Sequence, residues 1–246
     1  MVAYRLISPP NGLGLVGIEP LGGPRTIGAS SNTSIGNFTQ TVATPFAAWR
    51  FRFSFHVMRG ASFRAYRGWV TAMHGGANAT RWQFFDPDMR SPRECGLDVP
   101  AHVRWPDTLL EQNWGNDEPW ANGAPWAITP PLVPIASPSS RDDTLITLAD
   151  SFWGHDLQRG EYLGFQPFHF GLYIITEVIE PGTYRIWPQL RKGLDLGDYA
   201  TLFPTLAMRM ESEEAATAGR ELVVADDLHV TMVEVFDYDV RDYFVG

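Results

Sequence analysis

The chain has 246 residues, 44% hydrophobic and 19% charged, enough to bury one large core or two modest ones. A single cysteine, Cys95, excludes an internal disulfide framework and a cysteine-rich metal centre, and reads as a small half-buried hydrophobe. The net charge of −9 argues against a nucleic-acid-binding role, which needs clustered Lys and Arg. The charge is unevenly placed. Residues 211–246 hold ten acids against Arg220 and Arg241, a net of −8, whereas residues 46–93 hold eight arginines against Asp86 and Asp88, a net of +6. Such segments are solvated faces or complementary surfaces that meet, within the fold or between copies.

The start, MVAYRLISPPN, breaks at Pro9-Pro10 before an apolar stretch forms, and no run approaches the length of a membrane-spanning helix. The expectation is a soluble chain assembled in a reducing cytoplasm. The first 45 residues, rich in Gly, Pro, Ser and Thr, read as an extended arm or edge strands. Within them Gly12-Leu13-Gly14-Leu15-Val16-Gly17 matches the dinucleotide pattern G-x-G-x-x-G. Pro9-Pro10 before it and Pro20 and Pro24 after it leave no helix to face a pyrophosphate, so the match is accidental.

Trp49, Phe51, Phe53, Phe55 and Val57 alternate with Arg50, Arg52, Ser54, His56 and Met58. Strict period two predicts a strand with its aromatic face buried and Arg50 and Arg52 outward. Residues 62–74 predict a helix. Ser62 can cap it, Phe63, Tyr66, Val70 and Met73 form one stripe, and Gly75-Gly76 end it. Residues 81–85 predict a short strand that stops at Asp86-Pro87-Asp88. Pro87 cannot donate to a ladder and Asp side chains satisfy turn N–H groups, so both carboxylates are expected to be solvated, not a catalytic pair.

Residues 93–142 read as an irregular loop in which Trp105, Trp114, Trp120 and Trp126 lie among Pro, Gly and Asn. From residue 143 onward short β-branched or aromatic runs are parted by Gly160, Gly171 and Pro181-Gly182, the spacing of a small barrel or sandwich. Residues 206–210 and 228–236 are two further strands. The tryptophans have two readings: they pin a long loop to the body or a neighbour, or they stack on sugars. Glu111, Asp117 and Glu118 could supply glycosidase carboxylates, but acids so close in sequence rarely flank a substrate from opposite sides. No histidines stand at metal-ligand spacing, and no nucleophile elbow or Walker loop occurs. No cofactor, metal or catalytic residue is expected.

The strand at 49–57, the helix at 62–73 and RWQFFDPDMR, in that order, resemble the opening of distal tail proteins and related minor tail proteins of long-tailed phages. GEYLGFQPFHFGLYIITEVIEPGTYRIWPQLR, followed by Pro204-Thr-Leu-Ala-Met-Arg209, is similar to a later segment of the same group. The likeness covers residues 46–90 and 143–210. It implies a mainly β (all-β to α+β) fold: a β-sandwich belt domain with one flanking helix, plus a small β-barrel or sandwich insertion. The domains expected are a belt at 1–92, the loop at 93–142, a small β-domain at 143–205 and C-terminal strands at 206–246 returning to the belt. The resemblance further implies a non-enzymatic virion protein at the tail tip, assembled in the host cytoplasm. It would close a hexameric ring between the tail tube above and the hub or other minor tail proteins below, with a lumen that passes DNA without binding it. Arg50 and Arg52 against Glu234, Asp237 and Asp239 are the candidate contacts between copies. The alternative is a carbohydrate-binding module holding host glycans through Trp114 and Trp120 in loop 105–126.

Overall fold

In chain order the backbone lays down β1 (Leu6–Ile7), β2 (Leu15–Gly22), a ribbon of β3 (Asn32–Thr33) and β4 (Thr39–Gln40), then β5 (Arg50–Phe55). Helix α1 (Gly60–Ala72), a 3-10 turn (His74–Gly76) and β6 (Ala79–Gln83) follow, then a second ribbon of β7 (Leu110–Gln112) and β8 (Trp126–Ile128). The next six strands are β9 (Val133–Pro134), β10 (Leu145–Thr147), β11 (Tyr162–Gln166), β12 (Tyr173–Glu180), β13 (Thr183–Trp187) and β14 (Tyr199–Thr201). The chain ends with β15 (Thr205–Met210), a 3-10 turn (Glu213–Ala215), β16 (Ala216–Arg220), β17 (Ala225–Glu234) and the short helix α2 (Asp237–Val240). This computed structural model describes residues 5–22, 32–33, 39–40, 48–86, 88–91, 93–96, 110–112, 126–128, 132–167, 169–220 and 225–240.

The fold is mainly β, with one long helix. A seven-stranded sheet runs β1-β6-β15-β17-β5-β2, with β16 added on β17. Alternation builds its core: Phe51, Phe53 and Phe55 of β5 point inward beside Val230 and Met232 of β17 and Met208 and Met210 of β15. Helix α1 covers that face with Tyr66, Trp69 and Met73, and Trp69 Nε1–H donates to Thr80 Oγ1 at 3.1 Å. The helix begins two residues before the expected start. Gly60, at φ 59°, turns the chain into it, and Ser62 lies inside the first turn with no side-chain cap anywhere at this end. Its other end also comes earlier than expected: α1 stops at Ala72, the first left-handed residue is His74 at φ 45°, and Gly75 and Gly76, at φ 63° and 101°, lie in the 3-10 turn that follows, where a Cβ on Gly76 would press into the Met210 carbonyl.

The second sheet has six strands in the order β10-β13-β12-β11-β14-β9. Its two ends also meet. Ile135 bridges Leu148, Ala136 N–H donates to Thr147 O and Ala149 N–H to Pro134 O, both at 2.8 Å, so the strands close into a barrel. Leu163, Phe165, Tyr173, Ile175, Tyr184 and Ile186 fill it. The barrel starts at Val133, ten residues earlier than the boundary placed at 143, and it lies between β6 and β15 in sequence. Those two strands are neighbours in the first sheet, with Gln83 opposite Thr205. The stretch Gly12–Gly17 runs from a turn directly into β2.

Asp86 accepts the Asp88 N–H at 3.0 Å, the turn expected of it. Its expected solvation is corrected. The carboxyl is half-buried, and burial pushes its pKa above the usual value although the Asp88 N–H pulls the other way. Cys95 is buried, with Sγ 3.9 Å from the Phe152 carbonyl oxygen.

Candidate functional site

The outward face of the seven-stranded sheet carries the charge that period two predicts. Arg50 and Arg52 alternate with the buried phenylalanines, and both find partners inside the chain. Arg50 donates from Nε to Glu211 at 3.0 Å and again from Nη2; Arg52 Nη1 reaches Glu19 at 3.3 Å. The basic and acidic segments therefore meet within one copy at Arg50–Glu211. All four side chains are more than 40% exposed, so each pair contributes about 0–1 kcal/mol. At the β6–β15 end the same face is covered: Ala79, Ala207, Phe170, Val235 and Val240 of α2 pack together there.

Glu234 lies elsewhere. Residues 228, 230, 232 and 234 of β17 point inward, so the same alternation that buries Leu228, Val230 and Met232 buries Glu234, whose side chain is 1% exposed. Its placement on a surface between copies is corrected: the carboxylate is held inside the chain, where the sheet meets the barrel. Glu234 Oε2 accepts Arg191 Nη2 at 3.3 Å and the Trp49 N–H at 3.0 Å. Trp49 Nε1–H reaches across to Leu172 O at 2.7 Å, and the Arg191 guanidinium sits 4.5 Å from the centre of the Phe236 ring. Burial lifts the Glu234 pKa above the usual carboxylate range, outweighing Arg191 and the Trp49 N–H, which lower it.

A second buried chain of hydrogen bonds lies on the barrel side. The Arg191 N–H donates to Tyr173 Oη at 2.9 Å, and the same Oη lies 2.6 Å from His169 Nε2, within hydrogen-bond distance. Burial, with a smaller push from Lys192, lowers the His169 pKa to about 3, so the imidazole is neutral at working pH. Arg191, His169 and Tyr173 were not singled out by sequence. The signal for one end of this junction was there: an acid in the inward register of an otherwise apolar strand.

Beside the junction a polar cleft of about 780 Å³ opens between the His74–Gly76 turn, Arg209–Glu211 and Val233–Phe236. Asp239 lines it and is exposed; Asp237 opens α2, and its side chain lies outside the described residues. The Glu111 backbone lies in β7, while Trp114, Asp117, Glu118 and Trp120 lie outside the described residues. Among the described residues no three His, Cys, Asp or Glu side chains are placed to hold a metal ion, and no helix is long and apolar enough to cross a membrane. No protein-family model matches the chain, and no curated protein matches it. The arrangement can lock two β-structures together and present a charged sheet face; its largely buried imidazole borders a small surface pocket of about 240 Å³ lined by Arg81, Gln166 and Thr205.

Proposed function

We propose that the chain is a structural ring protein of a phage tail tip, in the distal-tail position, joining the tail tube to the hub and leaving a lumen through which DNA passes. The observation that carries this reading is the difference between the two sheets. The barrel has joined its own ends. The seven-stranded sheet has not: among the described residues nothing pairs with the outer side of β2, nor with the outer side of β6 beyond its two-residue match to β1. An unpaired edge is a template for another chain. Two different edges on opposite sides of one sheet are what a head-to-tail ring requires of each copy. Val16 and Val57, 70% and 56% exposed, add apolar surface at the β2 edge. The order of strand, helix and strand that resembles distal tail proteins supports the same assignment.

The test is negative-stain imaging of the purified full chain with its mass from light scattering. Rings of about six copies with an open centre are expected. A compact monomer at every concentration would remove the reading.

A further inference from the structure

The basic segment has more arginines than its acidic neighbours engage. Arg50 and Arg52 have partners in the chain, as does Arg90, which donates to Glu161 at 2.9 Å. Arg59, Arg64 and Arg67 are exposed and make no ion pair among the described residues. All three belong to α1 or its N-cap, and Arg64 and Arg67 point away from the buried Tyr66, Trp69 and Met73. The arrangement runs against the helix's own electrostatics. The first turn has no acid and the last turn no base, Arg59 stands at the N-cap, and Arg64 and Arg67 are a like-charged i,i+3 pair. At the opposite end the exposed Glu213 lies against Gly75, whose added Cβ would sit 3.5 Å from Glu213 Cβ, and the exposed Glu214 follows it in the same 3-10 turn. Arg59 thus stands at the positive end of the dipole and Glu213 near its negative end, the reverse of what stabilises an isolated helix, while Arg64 and Arg67 repel each other at mid-helix. Gly68, exposed between the arginines, would meet nothing within 4 Å if it carried a Cβ, so this fold does not require glycine there. Among the described residues nothing within one copy offsets these departures.

We infer that the outward face of α1, centred on Arg64 and Arg67, docks on the Glu213–Glu214 turn of a second copy of this chain. The inference rests on the ring reading above and names one of its contacts. Within one copy neither Arg64 nor Arg67 pairs with Glu213 or Glu214. A head-to-tail neighbour brings acid to base and offsets the unfavourable field. Gly68 leaves room for the neighbour's backbone to approach closely.

The experiment is light scattering and sedimentation of the full chain as wild type, R64E/R67E, E213R/E214R and the fourfold charge swap, at about 0.05 M and about 0.5 M salt. Each double variant should weaken assembly at least about tenfold at low salt, and the fourfold swap should restore it. R64K/R67K, which keeps the charge, should assemble as wild type does. Thermal melts of every variant check that folding is intact. Wild-type rings with R64E/R67E rings of equal strength would overturn this contact and leave the ring reading standing. A wild type that stays monomeric throughout would remove both. If R64E/R67E assembles normally but loses binding to a short single-stranded DNA probe held by wild type, the face is a nucleic-acid site and the inference fails.

Discussion

The seven-stranded sheet and the barrel bury comparable strands with different side chains. On the open sheet a single helix must cover a broad face, and the core there is built from rings: Trp49, Phe51, Phe53, Phe55, Tyr66, Trp69, Trp82 and Phe84. Their centroids lie about a ring width apart, as with Phe53 and Trp82 at 4.5 Å, so each ring spans the gap between strand and helix. The barrel closes on itself, its interior width is fixed by strand number, and mostly branched aliphatics fill it. An open sheet with one helix needs reach, and a closed one needs fit. The two are joined by the buried Glu234–Arg191 pair and the Trp49–Leu172 hydrogen bond.

That contrast can be broken most severely at its aromatic centre. Phe53 is fully buried, and Phe53→Ala should cost about 3–5 kcal/mol, read as a lower urea midpoint with loss of near-ultraviolet dichroism. The coupling between the two regions is tested by Glu234→Ala. Leaving Arg191 buried without its partner should cost about 3–4 kcal/mol and split one calorimetric transition into two. The double variant E234L/R191M should recover most of that loss, because an apolar pair needs no charge compensation. If E234A still melts in one unchanged transition, the pair is not what holds sheet and barrel together.

The barrel side has its own pH signature. The folded His169 pKa of about 3 lies below the ordinary value, so between the two the unfolded chain binds the extra proton. The stability tied to neutral His169 is complete above about pH 6.5 and is lost as pH falls toward 3, amounting to about 2 kcal/mol by pH 5. His169→Gln should flatten that slope in urea titrations, and comparison with wild type separates it from Glu234, whose raised pKa acts in the opposite sense. The smallest effect is a gain. Gly68→Ala should stabilise the folded chain by about 0.5–1 kcal/mol in a thermal melt, since the new methyl enters open space on a helix.

The strongly periodic elements were legible in the sequence. The Phe51–Phe53–Phe55 alternation, the Tyr66–Met73 stripe and the Pro181-Gly182 turn each carry their own local signal, and the structure places a strand, a helix and a hairpin there. Strands β9 and β14 carry no such signal. They are two and three residues long, and long-range pairing of Tyr199 with Pro134 makes them strands. The inward Glu234 was readable in principle, since period two assigns its face. Arg191 could not be matched to it, because the two are 43 residues apart and meet only when the barrel folds against the sheet. The helix start was misplaced for a related reason: a serine cap is a visible sequence signal, whereas a left-handed Gly60 does the same turning without one.

The barrel leaves the sheet at Gln83 and the chain rejoins it at Thr205, directly opposite on the adjacent strand. Paired residues on antiparallel strands stand about 5 Å apart, close enough to be linked by a tight hairpin. The intervening segment is therefore an excursion whose two ends a two-residue turn could join in the register of β6 on β15, but removing it would leave the buried Glu234 without Arg191 and the Trp49 indole without the Leu172 carbonyl.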